Sequence, residues 1–253
     1  MPRFFIVTLL LIAIITIQPH SIIAGQNKFV LTATAELNGD KKSETVTVKA
    51  VGDAGDFVLT IGTIIVKDKL YTGAPDGFII TDIDSSDKYK EVAVHSPGPS
   101  DDDEYLIYQY TGIAVKQAGR LVRWPVFPGN GIVYADDWLG FWKKREKYVL
   151  SQDHELIPVP QELYYVGVAG KVKESFMLYK SRMERIIVAT PRVGSEVILL
   201  TCDVSGKYVD TDKGDDMTDW FRDWYLIKTE TGLTGWAQLN TFSEKLDGLP
   251  WAD

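Results

Sequence analysis

From Phe29 onward the chain keeps no helical period for long. Short runs rich in Val, Ile, Thr and Tyr recur instead, at Phe29–Ala33, Thr45–Val51, Phe57–Val66, Phe78–Thr81, Glu91–His95 and Tyr105–Tyr110. Clusters of Gly, Asp, Asn and Pro separate them. β-branched and aromatic side chains fit a pleated surface, and the punctuating residues accept tight turns, so the pattern predicts an all-β protein. Tyr105–Tyr110 alternates apolar and amphipathic side chains, which predicts a half-exposed strand. Trp138–Leu150 (WLGFWKKREKYVL) fits either a helix or a strand pair, with the strand pair preferred.

The first 25 residues differ from all of this. Arg3 is their only charged side chain, an apolar run extends from Phe4 to Ile17, and Gln18-Pro19-His20 breaks it before a short exit to Ala24. The run is shorter than the ~18–20 residues of a spanning helix. The layout is that of a secretory signal peptide over residues 1–25, with cleavage near Ala24. No cysteine lies near that site, so no lipid anchor is expected. The predicted location is secreted or associated with the cell envelope.

Acidic residues number 35 against 27 Lys and Arg, a net charge of -8. Such a surface repels nucleic acid and anionic lipid, which makes both poor partners. Cys202 is the single cysteine, so an intramolecular disulfide is excluded. Its place in the run Val197–Cys202 predicts a small buried hydrophobe. The break at Ile157-Pro158-Val159-Pro160 suggests two domains, 26–163 and 164–253. Both are acidic, and neither is expected to carry a basic stripe.

An internal repeat stands in the first part. Glu36–Val48 (ELNGDKKSETVTV) aligns with Asp82–Val94 (DIDSSDKYKEVAV), the second carrying one extra residue. Calcium takes six to eight oxygen ligands, and alternate positions of one tight acidic loop can supply them. Loop one offers Glu36, Asn38, Asp40 and Glu44; loop two offers Asp82, Asp84, Asp87 and Glu91. The same residues could also cap their own backbone in polar turns. Neither loop is an EF-hand, since Lys41 and Thr47 stand where that motif needs Gly and Glu. The run Asp101-Asp102-Asp103-Glu104 reads as a solvated loop.

These loops resemble the FG-GAP or VCBS-type repeat, whose loops run roughly D-x-N-x-D-G-x-x-D/E into a strand. The resemblance implies a propeller-like repeat β-sheet domain with calcium in the loops. Glu36 in place of Asp, Lys41 in place of the turn Gly, and the insertion in loop two depart from it.

In the C-terminal part, Trp224-Tyr225-Leu226-Ile227-Lys228 predicts a strand, Glu230-Thr231-Gly232 a turn, and Gly235-Trp236-Ala237 the return strand. Trp224, Tyr225, Ile227, Gly232, Gly235 and Trp236 match the closing hairpin W-Y-x-V-x-x-x-x-G-x-x-G-W-V. This region is similar to a bacterial Src-homology-3-like barrel, which implies a module that binds envelope ligands. Gly214–Phe221 (GDDMTDWF) sets Trp220 and Phe221 among carboxylates, which suits a peptide carrying amines or, alternatively, packs the segment onto the barrel. The ligand-binding candidates are Trp220, Phe221, Trp224, Tyr225 and Trp236, although some of these rings must fill the barrel.

No nucleophile or zinc-ligand motif surrounds His95 or His154. The predicted function is therefore a non-catalytic envelope-binding protein whose partner is a cell-wall peptide or glycan, or an envelope protein. A calcium-stapled accessory protein is the alternative, followed by a carboxylate-based glycan hydrolase.

Overall fold

Hairpin turns link the β-rich runs into successive sheets in the computed structural model, which describes residues 28–99, 102–204 and 219–251. The predicted signal peptide and residues 205–218 lie outside the described residues. An antiparallel meander comes first: β1 (Thr32–Ala35), β2 (Glu44–Ala50), β3 (Asp56–Ile61) and β4 (Ile64–Lys69). Phe57–Val66, one run in the sequence, is in fact the β3–β4 hairpin, because Gly62 turns the chain at φ 59°. A second meander follows: β5 (Gly77–Thr81), β6 (Glu91–Ser96), β7 (Glu104–Tyr110) and β8 (Val115–Val122). The third sheet has three strands, β9 (Ile132–Trp138), β10 (Lys143–Leu150) and β11 (Leu156–Val159). The ambiguous stretch Trp138–Leu150 is thus a strand pair, with Arg145 opposite Asp136.

Two apolar layers hold the three sheets in a stack. Val46, Val48, Phe57, Leu59 and Ile61 of the first sheet pack on Phe78, Val92, Val94, Leu106 and Tyr108 of the second. From the opposite face of the second sheet, Ala93, Tyr105 and Ile107 pack with Val133 and Leu156 of the third. Every residue of β6 and β7 is consequently buried. Tyr105–Tyr110 is therefore not the half-exposed strand its alternation predicts; a sheet lies over each of its faces. On the far side of the first sheet the register aligns Thr32 with Thr47, Thr34 with Thr45, and Thr60 with Ile65. Lys49, Lys67 and Lys69 share that face. A Thr- and Lys-rich face presents little apolar surface to another sheet, so the described strands form an open stack.

The remaining strands are β12 (Tyr164–Val172), β13 (Leu178–Tyr179), β14 (Ile187–Ala189), β15 (Glu196–Asp203), β16 (Trp224–Thr229), β17 (Thr234–Gln238) and β18 (Leu246–Asp247). They form one sheet in the order β14-β13-β17-β16-β15-β12-β18, curled into a half-barrel. Leu178, Val197, Leu199, Cys202, Tyr225, Ile227, Leu239 and Phe242 fill it. Gly235 lets two strands approach: a Cβ there would stand 2.7 Å from both Leu178 Cβ and Val188 Cγ2. Phe141 and Trp142, from the turn between β9 and β10, also enter this core. Trp142 Nε1 donates to Tyr225 Oη at 2.9 Å, and the Phe141 ring lies 5.6 Å from that of Tyr225. The protein is all-β, with several sheets and one half-barrel.

Candidate functional site

The two acidic loops occupy equivalent places, loop one joining β1 to β2 and loop two joining β5 to β6. Each runs straight into the second strand of its meander. The Lys90 N–H donates to the Leu37 carbonyl at 3.0 Å, tying the loops together. In loop one the side chains turn back on their own backbone. Glu36 accepts from the N–H groups of Asn38 and Gly39, Asn38 from that of Asp40, and Asp40 from that of Lys42. In loop two Asp84 Oδ1 accepts from Ser86 N and Oγ, and Asp87 Oδ1 accepts from Tyr89 N at 2.6 Å. The Ser86 hydrogen bonds hold the Asp84 carboxyl below its ordinary range. Lys41 takes φ 67°, a conformation that favours glycine.

The last carboxylate of each loop behaves differently. Glu44 and Glu91 are buried, and Glu44 Oε2 and Glu91 Oε1 have no hydrogen-bond partner. Asp82 Oδ1, also buried, is unpartnered too. Burial, together with the charges of Asp87 and Asp82, pushes the Glu91 carboxyl up to about 7, although it accepts from the Ile83 N–H at 3.1 Å. Among the described residues, no three His, Cys, Asp or Glu side chains converge at metal-holding distance.

The acidic run after Ser100 is a solvated loop at Asp102, which is exposed, but not at Asp103 and Glu104. Glu104 is 2% exposed, ion-paired with Arg120, and accepts from the N–H groups of Tyr71 and Thr72. Asp103 is buried beside His95 and accepts from the Gly98 N–H. His95 is itself buried, with Nδ1 2.6 Å from Asp76 Oδ1 and its ring stacked 3.8 Å from Phe29. The rings of Tyr105 and Trp124 complete its surroundings, at 4.7 and 5.9 Å.

The aromatic candidates divide by face. Tyr225 is fully buried, so its ring belongs to the half-barrel core and cannot offer a surface to a ligand. Phe221 packs against that core, and the side chain of Trp220 lies outside what is described. Trp224 and Trp236 are half-buried on the outer face. Strand register builds a continuous row there, pairing Tyr165 with Thr201, Thr201 with Leu226, Leu226 with Trp236, and Trp236 with Tyr179. Directly opposed residues share a face, so these five side chains line up across five strands. The chain between β13 and β14 then lays two arginines over the rings. The Arg182 guanidinium sits 5.2 Å from the Trp236 ring, and that of Arg185 sits 5.3 Å from Tyr179 and 5.8 Å from Trp224. Arg182 is also held by Asp203 and Glu162.

Strand pairing also produces a basic stripe that the linear sequence conceals. KKREKYVL mixes signs, but on β10 its alternate residues part to opposite faces. Lys144 and Glu146 face inward and pair at 2.7 Å, while Lys143, Arg145 and Lys147 stand together on the outer face. The expectation that neither part carries a basic stripe is therefore corrected. A helix–strand ambiguity hid it, because period 2 separates these charges and period 3.6 does not.

No family model, no curated protein and no solved structure matches the chain.

Proposed function

We propose that the chain is an exported, non-catalytic binding protein of the cell envelope that engages wall peptide or glycan through the outer face of its half-barrel. The row Tyr165–Thr201–Leu226–Trp236–Tyr179, overlaid by Arg182 and Arg185, carries this reading. Indole and phenol faces suit the C–H surfaces of sugars, and the Arg185 guanidinium, stacked on Tyr179, offers its donor edges to carboxylates, whereas Arg182 spends its own on Asp203 and Glu162. The rings already hold the protein's own cations, so the face favours carboxylate-bearing ligands over amines. The W-Y hairpin with Gly235 at a close strand approach supports reading the half-barrel as Src-homology-3-like, and the signal-peptide layout of residues 1–25 supports export. Co-sedimentation of the protein with purified insoluble cell wall tests it. Wild type pellets with the wall, and Trp236→Ala combined with Arg185→Ala leaves it in the supernatant. A wild type that stays soluble with wall preparations overturns the reading.

A second reading is that calcium staples the acidic loops. It rests on the partnerless oxygens of Glu44, Glu91 and Asp82. Glu36, Asn38, Asp40 and Glu44 would hold one ion, and Asp82, Asp84, Asp87 and Glu91 the other. A divalent cation would neutralise a group whose proton is otherwise retained to about pH 7.

A further inference from the structure

A cleft of about 540 Å³ lies between the outer face of the third sheet and the start of β12. Of the Trp236 row, it shares Tyr165. Its floor is the β10 stripe. Lys143, Arg145 and Lys147 lie at alternate positions, so neighbouring cations are spaced about 7 Å apart along the strand. Like charges on one face repel, and a chain of net charge -8 has many carboxylates that could have been placed against them. Only Arg145 has one: its Nε and Nη2 grip Asp136 at 2.7 and 2.9 Å. That hydrogen bond to Asp136 holds the guanidinium charge still more firmly. Lys143 and Lys147 make no ion pair among the described residues.

Aromatic and amide groups line the walls. Tyr134 stands opposite Lys147 on β9, and Tyr165, 77% exposed, closes the other side. Gln161 is anchored through Nε2 to the Arg145 carbonyl at 3.0 Å, which fixes the lip of the cleft to its floor. Evenly spaced cations between two flat rings, Tyr134 half-buried and Tyr165 exposed, match one class of ligand. The cations meet an anionic group on successive units, and the rings stack on the units themselves.

We infer that this cleft binds an anionic polysaccharide, a sugar chain bearing carboxylates or phosphates, with Lys143 and Lys147 taking the anionic groups and Tyr134 and Tyr165 the rings. An acidic protein is otherwise repelled by polyanions, so retention by one is diagnostic of a local site.

Affinity electrophoresis of the full chain through gels containing a soluble polymer tests this. The polymers are polygalacturonate, poly(glycerol phosphate), neutral dextran and polyglutamate. The expected result is retardation by polygalacturonate, by poly(glycerol phosphate) or by both, none by dextran, and weaker retardation as salt is added. Retention by the first alone assigns carboxylate sugars; retention by the second alone assigns phosphate groups. Lys143→Gln with Lys147→Gln weakens binding about tenfold, and Tyr165→Ala weakens it too. Trp236→Ala leaves it unchanged, which separates failure of this site from failure of the half-barrel face. Equal mobility of wild type in all gels, retention by polyglutamate as strong as by the sugars, or full retention of a folded Lys143→Gln/Lys147→Gln variant overturns the inference.

Discussion

The central sheet of the stack and the half-barrel solve opposite problems. The inner strands β6 and β7 of sheet β5–β8 have a neighbouring sheet on each face, so their polar side chains have no route to water. Glu91, His95, Asp103 and Glu104 are all buried there, and most of their polar atoms are met by backbone N–H groups, Arg120 or Asp76. The half-barrel has one inner and one outer face. Its inner face is nearly all apolar, and its amphipathic rings and arginines lie outside. A sheet covered on both sides needs specific polar partners, whereas a sheet covered on one side can rely on packing.

Substitutions can break or sharpen that contrast. Tyr225→Ala in the half-barrel removes a fully buried ring and the acceptor of Trp142, and should cost about 3–5 kcal/mol in a urea titration. Glu104→Ala in the central sheet leaves Arg120 and two N–H groups without their acceptor and should cost about 3 kcal/mol, although far less volume is lost. If Glu104→Ala proves as mild as a surface change, the polar network of the stack is not what specifies it.

The third test turns on pH. The folded chain keeps the Glu91 proton up to about 7, against an ordinary value of 4.5. This carboxyl therefore contributes stability that is full below pH 4.5 and is lost as pH rises through about 7. Between about pH 5 and about pH 7.5 in EDTA, the melting temperature of wild type should fall relative to that of Glu91→Gln. If the loops hold calcium, millimolar calcium restores the wild type at the upper pH and raises Glu91→Gln by less, through loop one alone. The smallest effect is at Lys41. Its φ of 67° suits glycine, and Lys41→Gly should raise stability by about 1 kcal/mol in the same titration. A loss there would mean that the Lys41 side chain makes a contribution larger than its backbone strain.

Strand positions were legible because β-branched runs and Gly, Asp or Pro breaks are local signals. The pairing of acidic loops with equivalent strand junctions was legible for the same reason, since the repeat is written in adjacent residues. Sheet stacking was not. Tyr105–Tyr110 reads as amphipathic because Tyr and Gln tolerate both environments, and only the arrival of two neighbouring sheets decides the matter. Asp103 and Glu104 look solvated within DDDE, yet their partners are up to 33 residues away. The cleft was hidden twice over, by mixed charges within KKREKYVL and by the contribution of Tyr165 from another sheet.

The Phe141–Trp142 turn bears on how the protein can be divided. It lies before the Pro-rich break, yet its rings sit inside the half-barrel that follows. A fragment beginning at residue 164 would inherit the barrel wall without its plug, and Trp142's indole would leave Tyr225 with it. The two parts thus share one keystone, and a graft that moves the half-barrel to another protein has to carry the β9–β10 hairpin along.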